Sequence, residues 1–472
     1  MHKNSNATRS VAVIGGGIGG LVVALKLIQE GYKVTIIEKQ NFVGGIATSF
    51  HHGDYIMDVG PHVLTFPTKS EITDEIISIV EEENLIDLPS MSNLYKTYFQ
   101  GSFFTPGTPI SKIFTTLGIG FSFRAFRSYF ISKCKNLFKS KFHTIDEYMI
   151  ASYGEFLYNI WFKNYIKLQF TGSDYSLKNI VNSYPGLSLK SIILIIFTKK
   201  SHVALTDNIS KIRSSQFNKY PKLGMLFLIQ KIQDRITDKG GKIFLNSTIT
   251  SITHNSPKKI TFEQNNQKNE LNIDAIIYAL PPKLAIQWFP NPLQPSPPKN
   301  LAQNAIMVFL FVDSPGLFDW WVINFNQPDL IFFRISQQNF LSKNICPKNK
   351  TLLCIEIMCN DNDEISKYED SKLLSIVLSD LKKIDILNNE TIDSKILKFN
   401  NFYIDSQMSS NPQQQEIYNF INSHKQEYLM GVLQDSGNSS DSNPSQSNAG
   451  FHSAFLNAAE IVKKINLDFT KK

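Results

Sequence analysis

Cysteine is scarce in this chain, and its four cysteines form no C-x-x-C pair. They are Cys134, Cys346, Cys354 and Cys359. Their spacing does not match a secreted disulfide framework, so we expect reduced thiols in a cytoplasmic protein. The nine histidines also lack H-x-x-x-H and H-E-x-x-H spacing, and the sequence therefore predicts no metal site.

Long apolar runs are absent as well. No stretch reaches the about 18 uninterrupted apolar residues that a membrane-spanning helix requires. The polar residues 1–10 lead straight into an apolar strand pattern, which predicts no signal peptide. With 472 residues, 42% of them hydrophobic and 19% charged, the composition excludes a wholly disordered or collagen-like chain and indicates a globular protein of more than one domain.

The N-terminal region alternates strand, glycine loop, helix and strand. Residues 11–14 are apolar and rich in β-branched side chains, which predicts a buried strand. Residues 15–20 then match the pattern G-x-G-x-x-G, and a helical pattern over 21–30 follows. Residues 33–38 predict a second strand, which ends in the acid Glu38.

Each part of this motif has a physical reason. Gly15 permits a tight turn, Gly17 lets a pyrophosphate approach the backbone, and Gly20 lets the helix pack closely on the strand. The helix N-terminus offers free N–H groups and the positive end of its dipole to phosphates. Glu38 is placed to accept hydrogen bonds from an adenosine ribose. The motif predicts a dinucleotide-binding unit; the alternative is a glycine-rich turn in an unrelated α/β protein.

A second glycine pair and a Gly-Pro-His segment follow. Gly44 and Gly45 lie shortly after Glu38, and residues 58–62 read Asp-Val-Gly-Pro-His. With these elements the sequence resembles the FAD-dependent amine oxidase superfamily, which includes protoporphyrinogen oxidases, phytoene desaturases and, more distantly, UDP-galactopyranose mutases. The resemblance implies that the glycine pair covers the pyrophosphate, that the Gly-Pro-His segment passes the flavin ring, and that the cofactor is FAD.

The resemblance extends in patches along nearly the whole chain. In the family, the residue equivalent to Ile249 binds the adenine through its backbone, and the strand over 274–281 returns to the dinucleotide fold. The helix that begins near Phe451 points its N-terminus at the pyrimidine edge of the flavin. The positions that the resemblance implies for FAD are Gly15, Gly17, Ile18, Gly19, Gly20, Glu38, Lys39, Gly44, Gly45, Ile46, Gly60, Ile249, Ala279 and Phe451.

Two positions depart from the family pattern. Many amine oxidases carry Arg directly after the glycine pair, whereas this chain has Ile46, which argues against the amine-oxidising branch more than against FAD. Before the last helix, the family has a Gly followed by an acid that bonds the ribityl chain. Here Gly431 is followed by Val-Leu-Gln and then Asp435. Either Asp435 replaces the acid after a local shift, or that contact is missing.

The patterns together predict an α/β protein with two domains. The first is a Rossmann-type FAD-binding domain, discontinuous in sequence, over residues 8–66, 216–283 and 427–466. The second is an α+β substrate domain that combines a mixed sheet with a helical insertion. We expect the helical part over 67–215 and the sheet over 284–426.

A basic, aromatic segment lies inside the expected helical part. The chain has no acidic residue from Leu88 through Ile145, and lysine and arginine alternate there with phenylalanine. Over 112–141 this pattern suits the surface of an anionic membrane, and in related flavoproteins that act on porphyrins or polyenes the matching region enters the bilayer. The alternative, of equal weight, is a phenylalanine-lined core with a solvated basic face. Nucleic acid is not expected, because no recognised binding module accompanies the charge.

Few side chains are required for catalysis, because the flavin carries its own redox chemistry. His62 is the first catalytic candidate; its alternative is a core histidine bonded to backbone. Arg334, on an apolar strand, is the second: it would bind an anionic substrate or form a salt bridge on an edge strand. Glu356 lies on another apolar strand and is favoured as a structural ion-pair partner.

The expected function is FAD-dependent dehydrogenation of a hydrophobic small molecule, porphyrinogen-, polyene- or amine-like, by hydride transfer to flavin N5. One alternative is a redox-neutral nucleotide-sugar mutase, which needs paired arginines for a diphosphate, whereas the substrate domain has only isolated ones such as Arg334. The other is a non-catalytic FAD-binding relative. The expected location is the cytoplasm, or its membrane surface if the segment over 112–141 contacts lipid. The sequence leaves the oligomeric state open.

Overall fold

The computed structural model describes residues 9–67, 70–89, 94–105, 108–136, 141–163, 216–289, 302–387, 391–404, 412–430 and 451–470. The strands are β1 (Ser10–Ile14), β2 (Lys33–Ile37), β3 (Ser49–His52), β4 (Tyr55–Asp58), β5 (Leu64–Pro67), β6 (Leu85–Leu88), β7 (Tyr95–Phe99), β8 (Ser102–Phe104), β9 (Gln216–Pro221), β10 (Lys242–Phe244), β11 (Ser247–Thr253), β12 (Lys258–Gln264), β13 (Gln267–Ile273), β14 (Ala275–Tyr278), β15 (Ala302–Val312), β16 (Val322–Phe325), β17 (Arg334–Gln337), β18 (Thr351–Cys359), β19 (Thr391–Ile404) and β20 (Glu427–Leu429). The helices are α1 (Ile18–Gln29), α2 (Glu71–Val80), α3 (Ile110–Leu117), α4 (Ile119–Lys135), α5 (Ile145–Tyr153), α6 (Glu155–Leu157), α7 (Gly224–Asp238), α8 (Pro282–Ala285), α9 (Asp370–Lys383), α10 (Pro412–Ser423) and α11 (Phe451–Thr470).

A parallel five-stranded sheet, in the order β10-β2-β1-β14-β20, forms the dinucleotide fold. β1 lies at its centre, and the β-branched side chains of Val11 and Val13 are fully buried there. Helices α1, α7 and α11 pack their apolar faces in the same core. The strands come from separated stretches of the chain, so the structure confirms the predicted Rossmann-type α/β fold and its discontinuity in sequence.

A mixed seven-stranded sheet, in the order β19-β15-β18-β17-β16-β7-β8, forms the second layer. One of its faces is covered by α9, whose Leu373, Val377 and Leu381 are fully buried against it. The opposite face packs Met307 and Phe309 against Met57 and Val59, which belong to the N-terminal part of the chain. The candidate site therefore lies where this second face meets the segment around residue 58.

The region expected to be helical also contributes strands. Residues 95–104 form the hairpin of β7 and β8, and β7 pairs in parallel with β16 of the large sheet. The physical reason is a two-residue turn at Gln100 and Gly101, both with positive φ, which suits a tight hairpin. Residues 164–215, which complete the expected helical region, lie outside the described residues.

Helix α4 carries phenylalanines on both its inner and its outer side. Phe121 and Ala125 are buried and pack on Phe99 and Phe104 of the β7–β8 hairpin. The outer side exposes four large apolar residues: Ile119 (89%), Phe123 (67%), Phe126 (55%) and Phe130 (52%). Among the described residues, no helix combines the length and apolarity needed to cross a membrane.

Candidate functional site

The loop after β1 and the first turn of α1 can be built only with glycine at two positions. Gly15 has a φ of +103°, and a Cβ atom there would lie 2.6 Å from the carbonyl oxygen of Ala279. A Cβ atom on Gly20 would overlap the carbonyl oxygen of Gly15. Ala279 itself donates its N–H to the carbonyl of Ile14 at 2.8 Å, so β1, the loop and the end of β14 form one tightly packed unit.

Gly17 differs from these two glycines because space is open in front of it. No described atom beyond its chain neighbours lies within 4 Å of the position that a Cβ atom would take. The second glycine pair lies alongside: the Gly44 N–H donates to the Gly16 carbonyl at 2.8 Å. A Cβ atom on Gly45 would lie 3.3 Å from the Cα of Gly17. α1 begins at Ile18, so this opening has the shape and the N–H donors that a pyrophosphate needs.

Glu38 lies at the end of β2 and holds the loop in place. Its carboxylate accepts the N–H of Gly16 at 2.5 Å and the N–H of Gln40 at 2.8 Å. The bond to Gly16 was missed by sequence reasoning, which assigned Glu38 only to the ribose. Because the side chain is half-buried, a ribose hydroxyl can share the carboxylate that already positions the loop. Lys39, the next residue, is exposed.

The residue expected to bind the adenine, Ile249, lies on β11. The Ser247 N–H donates to the Glu38 carbonyl at 2.9 Å, which places β11 beside the end of β2. Ile249 follows two residues later, pairs with Phe262 of β12, and is half-buried beside an apolar cluster. Residues 242–249 are divided between β10 and β11, because Asn246 adopts a φ of +52° between the two strands.

The C-terminal elements close the other side of the loop. Met430, directly after β20, has its sulfur 3.1 Å from the Cβ position of Gly19, a neighbour that sequence reasoning did not identify. Phe451 begins α11 and is buried in the core that α11 shares with α1. Gly431 and Asp435, the residues of the altered ribityl motif, lie outside the described residues.

His62 joins two segments expected to touch FAD. Its Nε2 lies 2.9 Å from the carbonyl oxygen of Ile46 and 2.9 Å from that of Val59. Carbonyl oxygens only accept hydrogen bonds, so Nε2 carries a proton and donates to both. Burial lowers the pKa of His62, and the nearby carboxylates of Asp58 and Glu356 oppose that shift only in part. His62 is therefore a neutral imidazole that links the glycine-pair turn to the segment before Gly60.

Arg334 and Glu356 form a bidentate ion pair beneath that segment. Arg334 Nε and Nη2 donate to the two Glu356 oxygens at 2.5 and 2.6 Å. Glu356 is fully buried, and the Arg334 side chain is 24% exposed. β17 lies between β18 and β16 and not at an edge, so the expectation of an edge-strand bridge is wrong: the pair is internal to the sheet. A Cβ atom on Gly60 would lie 3.5 Å from Glu356 Oε2.

The structure thus brings Gly60 directly over Glu356, Arg334 against the same carboxylate, and His62 two residues beyond Gly60. These residues come from three separated parts of the chain. The resemblance implies that the flavin ring passes the Gly60 to His62 segment of this cluster. Among the described residues, no group of three or more His, Cys, Asp or Glu side chains is arranged to hold a metal ion.

Asp58 fixes this arrangement from below, and sequence reasoning did not single it out. Its buried carboxylate accepts from Ser49 Oγ at 2.5 Å, from the Tyr220 hydroxyl at 2.5 Å and from the Met225 N–H at 3.1 Å. Burial raises the pKa of Asp58, and these hydrogen bonds oppose the shift. Gln338 in turn bonds the backbone N–H and carbonyl of Asp58. The carboxylate therefore ties β3, β9 and α7 to the segment that leads to Gly60, and the Gln338 side chain, directly after β17, bonds the backbone of the same segment.

Two family models match the chain. The model described as flavin containing amine oxidoreductase matches residues 163–433, more than half of the chain. The model described as NAD(P)-binding Rossmann-like domain matches residues 13–76, which hold the glycine loop and the glycine pair.

The curated relatives match over short stretches. Phytoene desaturase of Fusarium fujikuroi is 34% identical over 110 residues, which are 23% of this chain and 19% of the relative. The 4,4'-diaponeurosporene oxygenase of Staphylococcus aureus strain MRSA252 is 40% identical over 60 residues, 13% of this chain and 12% of the relative. The aligned stretches thus cover about a fifth or less of the length of these relatives.

Solved structures match over nearly the whole length. Reduced UDP-galactopyranose mutase has a TM-score of 0.73 at 14% identity and covers 97% of this chain and 95% of its own. A putative protoporphyrinogen oxidase from Exiguobacterium sp. 255-15 has a TM-score of 0.68 at 15% identity and covers 98% of this chain and 99% of its own. At this level of identity the likeness shows the fold.

Proposed function

Since the chain belongs to the flavin-containing amine oxidoreductase family, we propose that it is an FAD-dependent oxidoreductase that dehydrogenates a hydrophobic small molecule. FAD is the cofactor of the family, and the residues present fit it. The observation that carries the proposal is the opening in front of Gly17, bounded by the second glycine pair and by the first turn of α1.

FAD supplies a flavin ring that accepts a hydride, and the residues of this chain bind and orient it. The N–H groups at the start of α1 hold the pyrophosphate in front of Gly17. The Glu38 carboxylate bonds the adenosine ribose. His62 holds the glycine-pair turn against the segment that passes the ring. The buried Glu356 carboxylate, paired with Arg334, would support that segment at Gly60.

A hydrophobic substrate is favoured by a buried aromatic cluster, here called the aromatic lining, at the β7–β8 end of the same large sheet. Phe99 and Phe104 of the β7–β8 hairpin pack with Phe121 of α4 and with Trp161. Among the relatives, a phytoene desaturase and a diaponeurosporene oxygenase are named for polyene substrates. The mutase alternative is weakened because the Arg334 guanidinium, which lies beside the Gly60 segment, is already bound by the Glu356 carboxylate.

We further propose that α4 contacts a membrane surface. Ile119, Phe123, Phe126 and Phe130 follow one another at intervals of four, three and four residues, so they form one stripe along the exposed side of the helix. Arg127 is exposed beside the stripe, and Arg124 and Lys135 are exposed elsewhere on the same helix. An exposed apolar stripe with flanking cations suits insertion among anionic headgroups. The inner side of α4 supports the aromatic lining, so the same helix links the lipid surface to the site.

Flavin bleaching tests the substrate class directly. Under anaerobic conditions, we expect phytoene to abolish the visible absorption of the oxidised flavin, since forming a new double bond transfers a hydride from the substrate to the ring and releases a proton. UDP-galactopyranose is the matched probe for the mutase alternative. If the reduced protein interconverts UDP-galactopyranose and UDP-galactofuranose while no apolar probe bleaches the flavin, the dehydrogenase proposal is wrong.

His62 can be tested by a pair of variants. In His62→Gln the side-chain amide replaces Nε2–H as a donor to the Ile46 and Val59 carbonyls, so FAD content should stay within about threefold of wild type. His62→Leu leaves both carbonyls without their donor, at about 1–3 kcal/mol each, and should lose FAD.

The pH dependence of His62 has a definite sign. The unfolded histidine takes up a proton near pH 6.5, whereas burial lowers the pKa of the folded one. The free energy of unfolding should therefore fall more steeply below about pH 6.5 in wild type than in His62→Gln. Equal acid sensitivity of the two proteins in thermal melts would mean that His62 is not held neutral.

A further inference from the structure

The large sheet carries a line of polar side chains across four adjacent strands. Thr97 on β7 lies opposite Asn324 on β16, Asn324 opposite Arg334 on β17, and Arg334 opposite Glu356 on β18. Directly paired residues project from the same face of a sheet, and neighbouring strands lie about 4.8 Å apart. These four residues, which we call the polar row, therefore extend for about 14 Å along one face.

This face is the one that meets the expected flavin position. The opposite face is apolar and is covered by α9. At one end of the polar row, Glu356 lies beneath Gly60. At the other end, Phe99 follows Thr97 two residues later on β7 and packs on Phe121 and Trp161 of the aromatic lining. The polar row thus runs from the flavin segment toward the aromatic lining.

Two members of the polar row, Thr97 and Asn324, can still form side-chain hydrogen bonds to a ligand or to water. Thr97 and Asn324 are half-buried, and no partner for either side chain exists within the described part of the chain. Half-buried polar groups without a protein partner are costly to desolvate further unless a ligand or water bonds them. A hydroxyl and a carboxamide at neighbouring positions can both donate to and accept from an oxygen-bearing ligand.

The charge of the polar row is balanced. The Arg334 guanidinium is bound in two parallel hydrogen bonds by the Glu356 carboxylate, so the pair has no net charge. A carboxylate or phosphate ligand would need a cation that is not already neutralised. A hydroxyl or carbonyl group needs only the donors and acceptors that Thr97 and Asn324 offer.

We infer that the polar row binds an uncharged oxygen function, a hydroxyl or a carbonyl, at one end of an otherwise apolar substrate. The inference rests on the proposed function and deepens it. The apolar part of the molecule lies against the aromatic lining and the flavin position, and Thr97 and Asn324 set its register against the ring. The preferred substrate is accordingly an apolar alcohol, aldehyde or ketone, which binds more tightly than the matching hydrocarbon or the matching anion.

Four probes of nearly equal shape test this without knowledge of the natural substrate. All-trans-retinol, retinal, retinoate and the hydrocarbon axerophthene differ only in their end group. Binding is read from the change each probe is expected to cause in the flavin spectrum of the FAD-loaded protein. We expect retinol and retinal to bind about threefold to tenfold more tightly than axerophthene, as one neutral hydrogen bond allows. The near-isosteric double variant Thr97→Val, Asn324→Leu should abolish this preference and leave axerophthene affinity unchanged.

Two further variants keep the result interpretable. Thr97→Ser retains the hydroxyl and should retain the preference for retinol. Thr253→Val makes the same change at an exposed position on β11 and should alter nothing. FAD content and thermal melting report whether each variant is folded.

The other outcomes separate the inference from the proposed function. Tightest binding of retinoate would show that the site takes an anion and would overturn the inference. Equal binding of all four probes would overturn it too, while the hydrophobic-substrate proposal stands. If no probe perturbs the flavin of the loaded protein, the hydrophobic-substrate proposal itself is wrong, and the inference falls with it.

Discussion

Gly17→Val should fold normally and lose FAD. The backbone of Gly17 has a φ of −65°, which any residue can adopt, and no described atom beyond its chain neighbours lies within 4 Å of the Cβ position. The new side chain therefore clashes with nothing in the protein and projects into the space expected to hold the pyrophosphate. Hydrogen bonds to a charged group contribute about 1.5–3 kcal/mol each, so displacing the phosphates should weaken FAD binding by about tenfold to a hundredfold or more. Equilibrium dialysis of the apoprotein with FAD measures this change.

The chain offers a matched control for this substitution. Gly120 in α4 also has open space at its Cβ position, so Gly120→Val makes the same chemical change away from the loop. It should leave FAD affinity unchanged. Gly20→Val, by contrast, should prevent folding, because its Cβ atom would overlap the Gly15 carbonyl. If Gly17→Val folds and retains FAD as tightly as wild type, the phosphates lie elsewhere.

The second large effect is expected at the membrane. Wild-type protein should co-sediment with vesicles containing phosphatidylserine and much less with phosphatidylcholine vesicles. Each basic residue near an anionic surface contributes about 1 kcal/mol, so the triple variant Arg124→Gln, Arg127→Gln, Lys135→Gln should lower binding by about a hundredfold. These three side chains are exposed on α4, so FAD content should be unaffected.

Salt and a second variant separate the electrostatic part from the apolar part. Salt should weaken the electrostatic part, since charges are screened beyond roughly 8–10 Å, and should leave a remainder from the inserted rings. Phe123→Ser, Phe126→Ser should remove that remainder. The control variant Lys268→Gln, Lys343→Gln, Lys348→Gln removes the same number of positive charges at exposed positions outside α4. It should have little effect on vesicle binding. If wild type ignores anionic vesicles at low salt, α4 does not contact lipid, and a soluble substrate becomes the better proposal.

The glycine loop could be predicted because its determinants are local. The β-branched residues of β1, the glycines and Glu38 lie within a short stretch of sequence, and Gly15 and Gly20 meet steric requirements that glycine alone satisfies. The basic and aromatic character of 112–141 was equally visible. The sequence did not show which phenylalanines of α4 are buried and which are exposed. Phe121 and Phe123 are the same residue type, and only the packing on Phe99 makes Phe121 buried.

The supports of the site could not be predicted, because they depend on contacts distant in sequence. Asp58 and Tyr220 are 162 residues apart in sequence, yet their side chains share a hydrogen bond. Arg334 and Glu356 pair because of the register between β17 and β18, which no local pattern specifies. The hairpin of β7 and β8 was overlooked although Gln100 and Gly101 stand between alternating side chains, a signal that the surrounding basic and aromatic residues obscured.

The central claim is that this chain binds FAD through the opening at Gly17, and the most direct test is the flavin released from the purified protein. We predict a yellow protein whose heat-denatured supernatant contains FAD, identified by its mass, in an amount close to one per chain. FAD is expected and not FMN, because Glu38 has a ribose partner only in a dinucleotide. A protein that releases FMN, or that is colourless and stays so after incubation with FAD, would contradict the account.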